Sequence, residues 1–207
     1  MNNYLNYWEE YYQNHRDPSH ESPFARFVLP FLREGAAIYE LGCGNGRDSI
    51  FFEKFGLRIT AFDQCEKEIE YLNDKYSSNR LAFEVGDFTQ LGNRANSHFI
   101  YSRFTLHSVN REQEKNTLDW AFDNLNTNGL FFIEIRSTKD ELFGEGDKVG
   151  NNEFITDHYR RFVIYDEFVK RIEQAGFNVI YKIESKGLAK YKDEDPVIIR
   201  VIAQKNL

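Results

Sequence analysis

The sequence is poor in sulfur ligands: two cysteines, Cys43 and Cys65, in 207 residues. Two cysteines cannot build a disulfide framework, and neither stands in a pair at metal-ligand spacing. A reducing compartment is the natural expectation. Long apolar runs are missing too. None approaches the roughly 20 residues that span a bilayer. The start, Met1 to Tyr4 followed by Glu9 and Glu10, lacks the basic segment and apolar core of a secretory signal. A cytoplasmic protein with no membrane span is therefore expected. Positive charge is also in deficit. A formal net charge of -7 disfavours a phosphate-backbone partner, so no nucleic-acid partner is expected. The five histidines are scattered, and none pairs with cysteine or carboxylate at ligand spacing, so no metal site is expected. There is no internal repeat, no low-complexity tract and no linker.

What remains is the composition of a globular protein, 41% hydrophobic and 29% charged. The length suits one domain over residues 1–207 with a substantial core. Nineteen Phe and twelve Tyr point to an aromatic-rich core rather than to base-stacking platforms.

Hydrophobic periodicity alternates between strand and helix. Residues 4–14 carry Tyr4, Tyr7, Trp8, Tyr11 and Tyr12 at spacings of three and four, mostly on one helical face. Residues 23–32 form a second helix candidate. Strands are expected over 36–41, 57–62, 81–85, 98–104 and 130–135, and helices over 47–55, 67–76 and 111–125. Asn128-Gly129 signals a turn. Residues 137–161 are polar, contain glycine and show no period, which reads as a long functional loop. A helix over 165–175 precedes strands over 179–183 and 197–203. Their connection has no obvious helix, so that pair should be antiparallel. The expected fold class is α/β: a Rossmann-like, doubly wound, mostly parallel sheet in which ligands bind beyond the carboxyl ends of the strands.

The residues just after the strands carry the chemistry. The first strand runs into Glu40-Leu41-Gly42-Cys43-Gly44-Asn45-Gly46-Arg47-Asp48. Glycines allow a sharp turn and close ligand approach, and the next helix offers free N–H groups. The spacing is G-x-G-x-G, and Arg47 stands where a dinucleotide fingerprint needs its third glycine. Glu40, at the end of a buried strand, calls for a cationic or hydrogen-bonding partner. Asp63 ends the second strand, where a carboxylate can accept from ribose hydroxyls. Asp87 ends the third, with Phe88 beside it. Each acid alone could be a turn residue; together with the glycine loop they favour an adenosyl ligand.

In order and spacing these segments resemble the motifs of class I S-adenosylmethionine (SAM)-dependent methyltransferases. Residues 40–46 are similar to the first motif, Phe62-Asp63 to the second and Gly86-Asp87-Phe88 to the third. Tyr101-Ser102-Arg103-Phe104 with Leu106-His107 resembles the fourth, and Asn128-Gly129-Leu130 the turn before the fifth strand. The resemblance runs over roughly residues 1 to 205. It implies a seven-stranded sheet with an antiparallel C-terminal strand, SAM as cofactor and S-adenosylhomocysteine (SAH) as product. It assigns Glu40, Gly42 and Gly44 to the methionine moiety, Asp63 to ribose, and Asp87 with Phe88 to adenine. Tyr12, Cys43, Arg47, Gln64 and Ser102 are expected to complete the cofactor site. The family's variable parts would be an N-terminal helical cap, residues 1–34, and a substrate-covering insert, residues 138–162. The cap aromatics with GCGNGRD over residues 42–48 resemble small bacterial methyltransferases of the tellurite-resistance and thiopurine types. Asp157-His158-Tyr159-Arg160-Arg161-Phe162 is similar to versions associated with surface-polysaccharide genes.

For the acceptor, arginine forks suit phosphate or carboxylate. Arg103, Arg136, Arg160 and Arg161, with Trp8, are the expected substrate contacts, and His107, His158 and Tyr159 the acid–base candidates. A small anionic acceptor is expected: a phosphorylated or nucleotide-activated sugar, or a phosphoramidate-like group, O-methylated during capsule or lipopolysaccharide assembly. Surface ion pairing could equally account for Arg160 and Arg161. The competing readings are a nicotinamide dehydrogenase, a non-catalytic SAM-binding module, and a methyltransferase acting on protein or nucleic acid. A nucleic-acid acceptor would call for an Asn/Asp-Pro-Pro-aromatic motif after the fourth strand, which is missing; a protein or another small molecule stays open as acceptor.

Overall fold

The computed structural model describes residues 5–18 and 20–206; Tyr4, where the first expected helix begins, lies outside them. The chain opens with α1 (Leu5–Asn14), none of whose residues is fully buried. It continues into α2 (Pro23–Val28) and a 3-10 turn at Leu29–Phe31. Ser22 caps α2 by accepting from the Ala25 N–H at 3.0 Å, and Pro23 occupies the first turn, where its missing N–H costs nothing.

There follow β1 (Ala37–Leu41), α3 (Arg47–Glu53), β2 (Arg58–Asp63), α4 (Glu66–Tyr76), β3 (Leu81–Val85), β4 (Ser97–Arg103), α5 (Arg111–Asn124) and β5 (Leu125–Arg136). Asn110 and Gln113 start α5 with a reciprocal capping box. No helix bridges β3 and β4, as none was expected between residues 85 and 98. The insert contributes β6 (Asp147–Gly150), β7 (Glu153–Ile155) and β8 (Tyr159–Arg161); α6 (Tyr165–Gln174), β9 (Asn178–Ser185) and β10 (Ile198–Gln204) end the chain.

The main sheet has seven strands in the order β3-β2-β1-β4-β5-β10-β9. Strands β3 to β5 run parallel; β10 is antiparallel to both β5 and β9. This is the expected doubly wound sheet with its antiparallel ending. Alternate residues feed two cores. Ile100, Phe131, Ile133 and Val201 face Leu118 and Phe168 of α5 and α6. Ile38, Tyr101, Phe132 and Ile202 face Phe24, Phe52 and Leu72 of α2, α3 and α4. The expected Asn128-Gly129 turn lies within β5. Ser97 pairs with Leu125 and Phe99 with Leu130, so the four residues between are looped out of the β4 ladder, with Asn128 at φ +63°.

The insert departs from expectation. Residues 137–161 are not a structureless loop: β6, β7 and β8 form a three-stranded antiparallel sheet. Its strands of three or four residues are too short to show alternation. They are held by a small aromatic core of Phe143, Phe154 and Phe162, with ring centroids 5.3–6.0 Å apart. Among the described residues, no helix is long and apolar enough to cross a membrane.

Candidate active site

Strand order reverses between β1 and β4, and the crevice beyond their carboxyl ends is where such sheets bind ligands. A cavity of about 880 Å³ opens there. Its floor is the glycine loop between β1 and α3. Gly42, Gly44 and Gly46 all have positive φ, between +54° and +72°, a conformation that side chains strain. A Cβ on Gly42 would run into Thr105 Cγ2, and one on Gly44 would lie 2.6 Å from Tyr12 Oη. The loop is thus flush against β4's extension below and α1 above.

Carboxylates surround this floor. Glu40 is buried and accepts from Ser49 Oγ. Burial, and then the neighbouring Asp48, push its carboxyl well above the usual range, so a cationic group would complete it. Asp48 is itself engaged, accepting from Ser22 N–H, Ser22 Oγ and Tyr101 Oη, each at 2.7 Å. Asp63 accepts from the Gly44 N–H at 2.9 Å and the Cys65 N–H at 3.1 Å. A carboxylate has about four acceptor positions, so Asp63 keeps capacity for hydroxyl donors. Cys43, Arg47, Gln64 and Phe88 line the same half. Tyr12 joins them from α1.

Two expected cofactor contacts, Asp87 and Ser102, fall outside the cavity lining. Asp87 is not part of the lining; its carboxylate accepts from Thr89 N–H at 2.9 Å and Thr89 Oγ1 at 2.8 Å, which makes it the Asx-turn residue that ends β3. Ser102 is likewise outside the lining, buried and hydrogen-bonded to Thr105. The lining residue at that corner is Thr105, which the sequence reading missed.

The other half of the cavity is built from Arg103–Val109, the end of β5, the insert and the β9–β10 connection. Phe104 takes φ +56°, uncommon for a bulky residue and a mark of a position held by its surroundings. The guanidinium carbons of Arg103 and Arg136 lie 4.4 and 5.5 Å from its ring centre. Arg103 Nε donates to Glu134 at 3.0 Å. Arg136 Nη1 donates to Asp140 at 3.0 Å, and its Nη2 to Glu194 at 3.3 Å. Arg160 Nη1 donates to Asp157 at 3.0 Å.

His107, His158 and Tyr159 also line the cavity. Burial, and then the nearby arginines, hold His107 well below its ordinary pKa and His158 down to about 4. Both imidazoles are therefore neutral near pH 7. Over them lies α1: Tyr7 Oη donates to Asp157 at 2.7 Å, and the Tyr7 and Trp8 rings sit 4.6 and 4.7 Å from the His158 ring. Cap and insert thus meet above the cavity.

Arg161 is a third expected contact that falls outside the lining. It is 3% exposed, lies outside the lining, donates to the carbonyls of Val109 and Leu106, and pairs with Glu114 at 2.6 Å. It ties the insert to the body and is not positioned as a substrate contact. Ala189, Tyr191, Glu194 and Pro196, from the aperiodic β9–β10 connection, line the cavity instead; nothing in their sequence pattern marked them.

Residues 12–182 match the family model described as a methyltransferase domain. The chain belongs to this family. The group it implies is SAM, and the cavity's glycine floor, the buried Glu40 and the strand-end Asp63 fit that cationic adenosyl ligand. A probable SAM-dependent methyltransferase TehB of Haemophilus influenzae is 25% identical over 107 residues, 51% of this chain and 37% of that protein. The match thus spans just over a third of the curated relative. Among solved structures, the Burkholderia thailandensis 1,6-didemethyltoxoflavin-N1-methyltransferase, with 1,6-didemethyltoxoflavin and SAH bound, superposes with a TM-score of 0.76 at 17% identity, over 98% of this chain and 87% of that one. A TehB-like SAM-dependent methyltransferase from Corynebacterium glutamicum gives 0.71 at 19% identity, over 97% and 99%. At these identities the structures share the fold.

Proposed function

We propose that this chain moves a methyl group from SAM to a small acceptor bearing an anionic group. The observation that carries the reading is the junction, in one cavity, of a glycine-floored acidic half with a half walled by arginines and neutral histidines. When bound, SAM supplies an electrophilic methyl on a positively charged sulfur. Glu40 and the glycine loop would hold its methionine end, Asp63 its ribose, and Phe88 and Tyr12 its adenosyl portion. Arg103, Arg136 and Arg160 would orient the acceptor, and much of the acceleration comes from alignment alone. An alcohol would pass its proton to His107 or His158, an effect of roughly 10² to 10⁴, with Tyr159 at hand in the same wall. A phosphate or carboxylate oxygen would need positioning only. Residues 1–34 would serve as cap and 138–162 as cover of a single catalytic unit.

O-methylation of a phosphorylated or nucleotide-activated sugar in surface-polysaccharide assembly is the finer form of this reading. It is supported by the three arginines of the acceptor half, Arg103, Arg136 and Arg160, and by the resemblance of residues 157–162. One observation favours a second reading. Each cavity arginine already has a carboxylate partner, and Trp8, Phe104 and Tyr191 line the wall, which suits a flat, uncharged acceptor.

The test is a calorimetric titration with SAH beside NADH, followed by turnover of sugar phosphates and nucleotide sugars with labelled SAM. SAH binding alone is expected. Binding of NADH in its place would overturn the reading, and SAH binding without turnover of any acceptor would leave a SAM-binding module.

A further inference from the structure

We propose that the acceptor's anionic group occupies a dedicated oxyanion subsite made by His107, Ser108, Arg136, His158 and Arg160, where it takes over from Asp157 and Glu194 as the arginines' partner. This rests on the methyltransferase reading and locates the part of it that the family does not define.

The first argument is hydrogen-bond accounting. Among the described residues, His107 Nδ1, Ser108 Oγ and His158 Nδ1 are enclosed and lack a hydrogen-bond partner, and all three residues line the cavity. The neighbour of His158 Nδ1 is Asp157 Oδ1 at 3.1 Å, an oxygen already shared by Thr156 Oγ1, the His158 N–H and Arg160. His107 is only 5% exposed. Buried polar atoms are normally satisfied, so a cluster of unsatisfied ones in a cavity wall signals a missing partner. All three can act as donors.

The second argument is electrostatic. The groups bearing on His107 are Arg136 from the end of β5, His158 ahead of β8, and Arg160 and Arg161 within β8; every one disfavours its protonation, as burial does. His158 meets Arg160 and Arg136 in the same sense, opposed by Asp157, while Tyr7 and Trp8 of α1 stack on it. The field at His107 is positive, and the one carboxylate that opposes it at His158 is the half-exposed Asp157.

The third argument is exchange. Asp157 and Glu194 are 47% and 68% exposed, and exposed ion pairs hold weakly. If Asp157 releases Arg160, its carboxylate keeps Tyr7 Oη and Thr156 Oγ1, each at 2.7 Å. Glu194 would return to water. Asp140 and Glu134, by contrast, are buried against Arg136 and Arg103 and fix their side chains in place. The two exposed carboxylates are placeholders; the two buried ones are supports.

An oxyanion here favours protonated imidazole, so its binding draws in protons and tightens as pH falls below the ordinary histidine range. The experiment titrates inorganic phosphate, and separately acetate, into protein saturated with SAH, following the histidine ring resonances by NMR and the heat in buffers of different ionisation enthalpy. We expect the rings of His107 and His158 to shift and titrate at higher pH, with net proton uptake. Arg160→Ala and His107→Asn should each weaken phosphate at least about tenfold, Arg160→Lys should weaken it less, and Arg80→Ala, paired with Glu53 outside the cavity, should not change it. Tighter phosphate than acetate assigns the subsite to a phosphoryl group, and the reverse order to a carboxylate. Phosphate that binds Arg160→Ala as well as the parent, or leaves the His107 ring unmoved, overturns the subsite. With SAH binding intact, that result would leave the methyltransferase reading standing and return the acceptor to the flat, uncharged class.

Discussion

The two halves of the cavity are built on different principles. The cofactor half hangs on strand ends, and main-chain hydrogen bonds set it: Asp63 holds the Gly44 and Cys65 N–H groups, and Gly42, Gly44 and Gly46 fix the turn. Its charge excess is negative and buried. The acceptor half hangs on a 3-10 turn at Leu106–Ser108, the insert and the β9–β10 connection. Side-chain ion pairs set it, and its buried titratable groups are neutral imidazoles among arginines. One half is fixed before any ligand arrives. The other keeps exposed ion pairs and unsatisfied donors, features that a changing acceptor can alter without touching the sheet.

The largest expected effect breaks the anchor that ties the insert of the acceptor half to the body. Glu114 of α5 is 1% exposed and accepts from both Arg161 of β8 and Arg171 of α6. Burial alone would raise its carboxyl; the two guanidiniums outweigh that and hold it below the ordinary range. Glu114→Ala leaves the buried Arg161 without a carboxylate and Arg171 with only the exposed Glu167 at 3.9 Å, and should cost about 3–5 kcal/mol, read as a fall in denaturant midpoint. A loss below about 1 kcal/mol would mean the insert does not depend on this anchor. Next in size is Asp63→Ala. Losing a carboxylate that would meet ribose hydroxyls should weaken SAH by roughly 10- to 100-fold, since hydrogen bonds to charged groups contribute about 1.5–3 kcal/mol. Calorimetry measures it. An unchanged affinity would leave Asp63 as a loop brace only.

How far each half was legible follows from the same contrast. Gly42, Gly44, Glu40 and Asp63 were readable because a strand's end is a fixed address and their residue types have few other uses there. Asp87 shared that address, yet Thr89 sits two residues on and captures its carboxylate. Arginine offered no such address. Arg161 was counted with Arg160, but Glu114, 47 residues earlier, waits beneath it, and sequence does not reveal which acid lies below a side chain. The insert's strands were invisible because three or four residues hardly reach the length over which alternation can be read; the trio Phe143, Phe154 and Phe162 was the signal available.

A pH series separates the halves more gently. Unfolded histidine binds a proton near pH 6.5, whereas burial and Arg160 hold His158 down to about 4. Between those values the unfolded chain binds more protons, so stability is lost as pH falls from about 6.5 toward 4. His107 acts in the same direction. Thermal melts from pH 7 to 5 should therefore show a declining Tm that His158→Asn flattens. A decline of equal slope in that variant would assign the acid sensitivity to groups other than His158; Glu40 is not among them, because its raised carboxyl gains stability as pH falls.

The smallest effect concerns the contact that closes the cavity from above. Tyr7 Oη donates to Asp157, which is half exposed, so Tyr7→Phe should cost no more than about 0.5–1 kcal/mol, roughly two- to fivefold in an equilibrium. The informative quantity is where that factor falls. The Tyr7 ring would still stack on His158, so α1 should stay docked and Tm should hardly move. If SAH then leaves a few times faster, the hydrogen bond acts as a latch between cap and insert, and the two move apart when ligand is released. If Tm falls while the release rate stays constant, α1 is part of the folded body, and the way out for the ligand must open on the insert side.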